Sequence, residues 1–321
     1  MDSEPGRPPR ADGDPRREMT PTPMVSVLLT AYNRERYIRA AIESVLAQTF
    51  TDFELIVSDD RSHDATVAVA EEYARRDPRV RVVVNERNLG DYPNRRQAAS
   101  LARGTYLKFH DSDDIMYPHC LDTMVRALEC EPRAAFALSG SHHWPGGPCP
   151  MLLTPKLAYE REFLGSGLFH LGPAGAMFRA AAFRELGGFP TAGVASDYLF
   201  WLDACARVNV LLVPADLFYY RIHSGQELSA RGVETEYANA ARVAWVKLHA
   251  DECPLDDVSR EQAKRNFVYV QARGIVRRLR RGNFAAAAAI LRHVGLGTSA
   301  WLRYLRPPRR TNVAGTPVTT S

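Results

Sequence analysis

Met24-Val-Ser-Val-Leu-Leu-Thr30 opens a stretch that runs to His110-Asp111-Ser112-Asp113-Asp114, and the order of elements within it decides the fold. The first run is β-branched and apolar without polar alternation, the pattern of a strand buried on both faces. Ile38, Ala41, Ile42, Val45 and Leu46 then recur at three- and four-residue steps, which is helical spacing. Phe53-Glu-Leu-Ile-Val57 reads as a second strand, ending in Ser58-Asp59-Asp60-Arg61-Ser62. A helix is expected over 65–75, a third strand at Val80-Arg-Val-Val-Val84, a loop over 85–94 and a helix over 95–102. Gly104 stops that helix, and Tyr106-Leu-Lys-Phe109 forms a fourth strand running straight into the acidic turn. This repeated strand–helix alternation predicts an α/β fold with a doubly wound, mostly parallel central sheet and flanking helices. Such sheets bind ligands at the carboxyl ends of their strands. Here those ends carry Thr30-Ala31-Tyr32, Asp59-Asp60 and Asp111-Ser112-Asp113-Asp114.

The chain has 321 residues, 45% apolar and 24% charged, which excludes chain-wide disorder, collagen and a coiled coil. Its net charge of +4 is too mild to imply a nucleic-acid partner. The charge is nonetheless clustered, with Arg273, Arg277, Arg278, Arg280 and Arg281 in one stretch and Arg303, Arg306, Arg309 and Arg310 in another. Five scattered cysteines without a CxxC pair argue against a disulfide framework or zinc site, and for a cytoplasmic chain. Residues 1–22 are rich in Pro, Gly, Asp and Arg, predicting a disordered leader without the apolar centre of a secretory signal. No apolar run approaches the roughly 18 residues of a membrane-spanning helix, which predicts a soluble or peripheral protein.

The later sequence is less regular. Residues 140–175 predict loops with short strands, and a helix is expected around 180–186, ending at Gly187-Gly188-Phe189. A further helix over 197–207 places Tyr198, Trp201, Leu202 and Cys205 on one face. A strand near 210–213 and the segment Phe218-Tyr-Tyr-Arg-Ile222 follow, then a helical, Ala- and Arg-rich region over 231–306 and a disordered tail over 307–321.

Three carboxylates in four residues at Asp111-Ser112-Asp113-Asp114 repel one another unless a cation sits among them. Hard oxygen ligands of this kind suit Mg²⁺ or Mn²⁺ bridging to phosphates; the competing reading is a solvated acidic turn. Asp59-Asp60 can accept from an imide N–H or ribose hydroxyls, or cap a helix with Ser62. Thr30-Ala31-Tyr32-Asn33 offers an aromatic face for stacking a base. Arg95 and Arg96 can face phosphate, or simply be solvated. Asp197 opens an amphipathic helix, as a cap or as a general base toward an acceptor hydroxyl. His223 can complete a metal shell, touch a diphosphate or be structural. The chain contains neither GxGxxG nor GxxxxGK[ST], which argues against a dinucleotide-dependent dehydrogenase and a P-loop enzyme.

Val25-Ser-Val-Leu-Leu-Thr-Ala-Tyr-Asn33, Ile42-Glu-Ser-Val-Leu-Ala-Gln-Thr-Phe50, Phe53-Glu-Leu-Ile-Val-Ser-Asp-Asp60 and Arg103-Gly-Thr-Tyr-Leu-Lys-Phe-His-Asp-Ser-Asp-Asp114 follow one another in order. They resemble the signature and DxD region of inverting family-two glycosyltransferases with the GT-A fold. Phe178-Arg179 with Phe183-Arg-Glu-Leu-Gly-Gly-Phe189 resembles that family's acceptor-domain segment, so the resemblance spans residues 24–230. It implies a Rossmann-like GT-A domain over 23–230, with a nucleotide-sugar-binding half at 23–115, an acceptor half at 116–230 and a helical extension beyond. It further implies a UDP- or dTDP-sugar donor, Mn²⁺ or Mg²⁺, an acceptor hydroxyl on a glycan, lipid-linked sugar or small molecule, and a role in polysaccharide biosynthesis.

By the same resemblance Thr30 and Tyr32 frame the base beside Ala31, Asn33 and Asp59, while Asp60 accepts from the base imide. Arg95 lies near the base or diphosphate, and Asp113 approaches the ribose or metal. Asp114 ligates the metal with Asp111 nearby, Asp197 takes the place of the catalytic base, and His223 that of a diphosphate- or metal-contacting histidine. Four positions depart from the family pattern: Arg61 stands where Gly is frequent, Arg96 where Asn is common and His110 where an apolar residue is usual. The fourth is Ser196-Asp197, where Glu-Asp is common.

Two other functions compete. A nucleotidyltransferase would need a Gly- and Lys/Arg-rich early loop, and Thr30–Arg36 contains no glycine. A catalytically inactive sugar-nucleotide-binding scaffold would be expected to lose the acidic centre, whereas Asp60, Asp113, Asp114 and Asp197 all persist. The C-terminal arginines with Trp301, Leu302, Tyr304 and Leu305 fit an anionic membrane surface at the inner face of the membrane, or a cap on the enzyme or on a second subunit of a homodimer. The cap is the favoured expectation.

Overall fold

The computed structural model describes residues 22–139, 150–214, 217–223, 226, 233–304 and 316–317. All but the last residue of the expected leader over 1–22, residues 140–149, and all but Thr316 and Pro317 of the expected tail over 307–321 lie outside the described residues. The first half builds β1 (Val25–Ala31), α1 (Ile38–Leu46), β2 (Phe53–Asp59), α2 (Thr66–Ala74), β3 (Val80–Val84), α3 (Asp91–Ser100) and β4 (Tyr106–Asp111). These strands lie in the order β3-β2-β1-β4, all parallel. The chain therefore reverses its direction of winding between β1 and β4, and an open α/β sheet binds ligands at such a reversal. Thr30 stands opposite Asp111 there, and Ala31 opposite Asp59 on the other side.

The absence of polar alternation in β1 is explained by burial on both faces. Leu28, with Ile56, Leu107 and Phe109, joins the cluster beneath α3. Val27 and Leu29, with Leu55 and Val57, join the opposite cluster beneath α1 and α2. Each such side chain contributes about 1.5–3 kcal/mol when fully buried. A polar tie locks the strands' amino ends. Ser26 Oγ donates to Glu54 Oε1 at 2.6 Å and accepts from Gly104 N at 2.8 Å, while Arg103 Nη2 pairs with Glu54 Oε2 at 2.9 Å. A Cβ on Gly104 would stand 2.5 Å from Ser26 N, so the approach requires glycine.

After β4 come β5 (Ile115–Met116), α4 (Cys120–Cys130), β6 (Ala134–Ser139), β7 (Met151–Leu153), α5 (Pro155–Leu164), β8 (Ala176–Arg179), α6 (Ala180–Glu185), α7 (Ser196–Arg207), β9 (Asn209–Val213) and β10 (Phe218–Tyr219). Here the sheet becomes mixed: β8 is antiparallel to both β4 and β6, and β7 is antiparallel to β9. β10 and β5 form a separate antiparallel pair. Two expectations need correction. The helix placed at 95–102 starts at Asp91, because Pro93 falls in the first turn, where a missing N–H costs nothing. The region over 140–175 contains α5, whose Thr154 side chain accepts from Leu157 N and whose first position is Pro155.

Four further helices follow, α8 (Val233–Lys247), α9 (Asp257–Arg280), α10 (Phe284–His293) and α11 (Thr298–Tyr304). Thr316–Pro317 form β11, antiparallel to β7 at the sheet edge. Among the described residues no helix is long and apolar enough to cross a membrane.

Candidate active site

The acidic turn after β4 is met by hydrogen-bond donors from three directions. Asp111 Oδ1 lies 2.7 Å from Arg95 Nη2, and Arg95 Nε donates to Asp91 Oδ1 at 2.8 Å. Asp113 Oδ2 accepts from Arg34 Nε at 3.1 Å and lies 2.9 Å from His223 Nε2. Asp114 Oδ1 accepts from Arg221 N at 2.9 Å, and Arg221 Nε donates to the Asp113 carbonyl at 2.8 Å. Burial alone would push Asp111 up, but the adjacent Arg95 guanidinium outweighs it and holds the carboxyl below the usual range. Asp114 has no direct ion pair among the described residues, only the more distant Lys108 charge. Burial, then the charges of Asp111 and Asp113, push it up to about 8. Its Oδ2 is buried without a partner, as is Arg95 Nη1.

The ends of β1 and β2 form the adjoining wall. Thr30 and Ala31 are buried, whereas the Tyr32 ring is 41% exposed. Asn33 holds the two loops together, its N donating to Ser62 Oγ at 2.8 Å and its Oδ1 accepting from His63 N at 2.9 Å. Asp59 accepts from Ser62 N at 2.8 Å and Ser62 Oγ at 2.5 Å, so it shapes its own turn. Asp60 accepts from Leu89 N at 2.7 Å, Asn85 Nδ2 at 2.9 Å and Gly90 N at 2.8 Å. Three of its roughly four lone-pair sites are therefore engaged by the loop leading to α3.

Asp197 sits in the first turn of α7, whose Phe200 and Trp201 are buried. Trp201 stacks on Phe178 of β8 with ring centroids 5.8 Å apart, fixing the helix against the sheet. Ser196 Oγ donates to Gly193 O at 2.6 Å and accepts from Ala192 N at 3.0 Å, shaping the turn before it. From α8, Glu236 Oε2 accepts from Val194 N at 2.6 Å. Burial pushes the Asp197 carboxyl up to about 6, opposed by the Tyr198 N–H, the Arg95 charge and the Tyr92 hydroxyl. Arg95 thus couples electrostatically both to the acidic turn and to Asp197.

Arg96 points elsewhere, donating to Phe189 O at 3.4 Å. Sequence reasoning passed over Arg34, Tyr37, Asp91, Tyr92 and Arg221. The Tyr37 ring packs tilted against His223 with centroids 4.6 Å apart and lies under the Arg221 guanidinium at 5.2 Å. Asp91 was signalled by its four-residue spacing from Arg95, and Arg34 by its place directly after Tyr32-Asn33. Nothing local marked Arg221. His110 is buried with neither ring nitrogen partnered, and burial pushes it down to about 3, so it remains neutral. Among the described residues no three His, Cys, Asp or Glu side chains converge as a metal-holding group. The donor chemistry nevertheless suits a hard divalent ion: Asp114 Oδ2 is buried without a hydrogen-bond partner, and the neighbouring Asp113 carboxylate meets His223.

The model of the family described as "Glycosyl transferase family 2" matches residues 26–187. The chain belongs to that family. This glycosyltransferase segment spans all three strand ends described above. Among curated family relatives, chondroitin synthase of Escherichia coli is 30% identical over 237 residues, covering 69% of this chain and 32% of that protein. A putative glycosyltransferase EpsH of Bacillus subtilis is 42% identical over 105 residues, covering 33% of this chain and 30% of its own. Matches to the first curated relatives span only about a third of those proteins' lengths. Among solved structures, Staphylococcus aureus TarS 1-349 in complex with UDP-GlcNAc has a TM-score of 0.58 at 20% identity, covering 83% of this chain and 90% of that one. The mannosyltransferase PcManGT of Pyrobaculum calidifontis, in complex with GDP-Man and Mn²⁺, has a TM-score of 0.57 at 17% identity, covering 88% and 79%. These likenesses establish the GT-A fold with its C-terminal helices.

Proposed function

We propose that this chain transfers a glycosyl unit, with inversion, from a nucleotide-diphosphate sugar to an acceptor hydroxyl. The observation that carries the reading is the gathering of carboxylates around one buried arginine at the β1–β4 reversal, with Asp197 in electrostatic reach of that arginine. Family membership and the sugar-nucleotide-bound structural neighbours support it. Thr30, Ala31, Tyr32, Asn33, Asp59 and Asp60 form the base-binding wall, with the Tyr32 ring available for stacking. Arg95 and Asp113 take the sugar-diphosphate side, where the free Arg95 Nη1 can donate to phosphate or a sugar hydroxyl.

Asp111, Asp113, Asp114 and His223 would hold Mn²⁺ or Mg²⁺, which supplies positive charge to offset the negative charge growing on the departing diphosphate. Asp197 removes the acceptor proton as the hydroxyl attacks the anomeric carbon from the face opposite the diphosphate. One displacement inverts that carbon without a covalent enzyme intermediate. A base with pKa about 6 is ionised at neutral pH yet basic enough to accept the proton. The acceptor is a hydroxyl on a glycan or lipid-linked sugar, and a lipid-linked one would set the enzyme at the inner face of a membrane.

Assay of diphosphate release and sugar transfer from UDP-, dTDP- and GDP-sugars with Mn²⁺ tests the reading. Asp197→Asn should lower transfer by about 10²–10⁴-fold while leaving donor binding in place. Only ionised Asp197 accepts a proton, so the rate should fall about tenfold per unit as pH drops below about 6. Full transfer by Asp197→Asn, or pyrophosphate release from a nucleoside triphosphate plus sugar phosphate, would sink the proposal.

A further inference from the structure

All 37 Asp and Glu residues lie at or before Glu261, whereas 12 of the 41 Lys and Arg residues follow it. The last part of the chain is therefore cationic without internal compensation, while the remainder is net acidic. Among the described residues, Arg273, Arg277, Arg280 and Arg281 stand together along the outer side of α9 and its C-terminal end. Its inner side is buried, with Ala263, Phe267 and Val268 in the core. Its outer side bounds a groove of about 800 Å³ lined, among the described residues, chiefly by Tyr269, Val270, Arg273, Val276, Arg277 and Arg280. These positions recur at three- and four-residue steps, so arginine and valine share one stripe. Val270 is 59% exposed, and beyond the helix end Phe284 on α10 is 68% exposed.

We infer that the α9–α10 face docks on the surface of an anionic phospholipid bilayer. Charge complementarity selects an anionic partner, and the exposed valines, Leu279 and Phe284 select one with an apolar layer behind its charges. A soluble polyanion would use the arginines and leave that apolar surface in water. A symmetric pairing of two copies through this face would oppose arginine to arginine. The helix lies on the bilayer rather than through it, since the Arg-rich stripe interrupts any spanning run. The inference is independent of the proposed transfer chemistry.

Flotation of the full chain with phosphatidylcholine vesicles, with and without phosphatidylglycerol, tests it at low and high salt. Binding should require phosphatidylglycerol and weaken with salt. The combined variant Arg273→Gln, Arg277→Gln, Arg280→Gln and Arg281→Gln, shown folded by circular dichroism, should bind about 10²–10³-fold more weakly, at about five-fold per arginine. Val270→Ser with Phe284→Ser should weaken the binding that persists at high salt. Equal binding to both vesicle types, no binding to either, or unchanged binding by the folded arginine variant would overturn the inference. So would a salt-resistant dimer that the same arginine substitutions dissolve.

Discussion

Arg61 has φ +69°, in the left-handed region that costs a residue with a Cβ about 1–2 kcal/mol. It stands in the turn after Asp59-Asp60, at the position where the family resemblance anticipates glycine. The backbone there keeps the geometry of glycine although the side chain has changed. Arg61→Gly should therefore stabilise the chain, by about 0.5–1 kcal/mol once the greater freedom of glycine in the unfolded state is subtracted. Urea denaturation measures this, and a lower midpoint for the variant would show that the arginine side chain compensates the strain. At this scale the candidates were legible, because Asp111, Asp113, Asp114 and Asp197 are polar groups at a strand end and a helix start. The sequence did not display their pairings. Arg34 meets Asp113 across 79 residues and Arg221 meets Asp114 across 107, and no local pattern encodes such encounters.

Among the elements, β8, α6 and α7 act as one aromatic block beneath Asp197. Phe178 contacts Phe109, Phe136, Phe183, Phe189, Phe200 and Trp201, with centroid separations between 4.9 and 6.0 Å. Phe178→Ala should cost about 3–5 kcal/mol, since so many rigid neighbours cannot collapse into the space. It should also reduce any transferase activity in the protein that remains folded, because α7 rests on that ring through Trp201. Thermal melting together with activity at a temperature where the variant is folded measures both. A loss below 1 kcal/mol would mean that the block repacks. The parallel strands were legible as short β-branched and apolar runs between turn residues, with both faces apolar in β1, and α7 because its apolar residues keep helical spacing. The start of α3 and the whole of α5 were not, because Pro93 and Pro155 read as breakers until their places in a first turn are known.

Across the whole molecule, the C-terminal helices share the core of the transferase segment. Ala263, Phe267 and Val268 of α9, Ile290 of α10 and nearby Val294 belong to the same buried cluster as Trp201 and Phe178. Trp245 of α8 stacks on Phe267 at 5.5 Å, Lys156 of α5 pairs with Asp256 at 2.6 Å, and Glu236 of α8 holds the turn before Asp197. Removing everything after residue 256 would forfeit about 1.5–3 kcal/mol for each of Phe267, Val268, Ile290 and Val294. That sum is comparable to the whole stability of an ordinary domain, about 5–15 kcal/mol. Unfolding of the full chain should accordingly be a single event, with tryptophan fluorescence and far-ultraviolet circular dichroism tracing one transition. The shortened chain should show no cooperative transition and no donor-induced thermal shift. If it instead melted at the midpoint of the full chain, α9, α10 and α11 would be an independent attachment, and Asp197 would be positioned by β8, α6 and α8 without them.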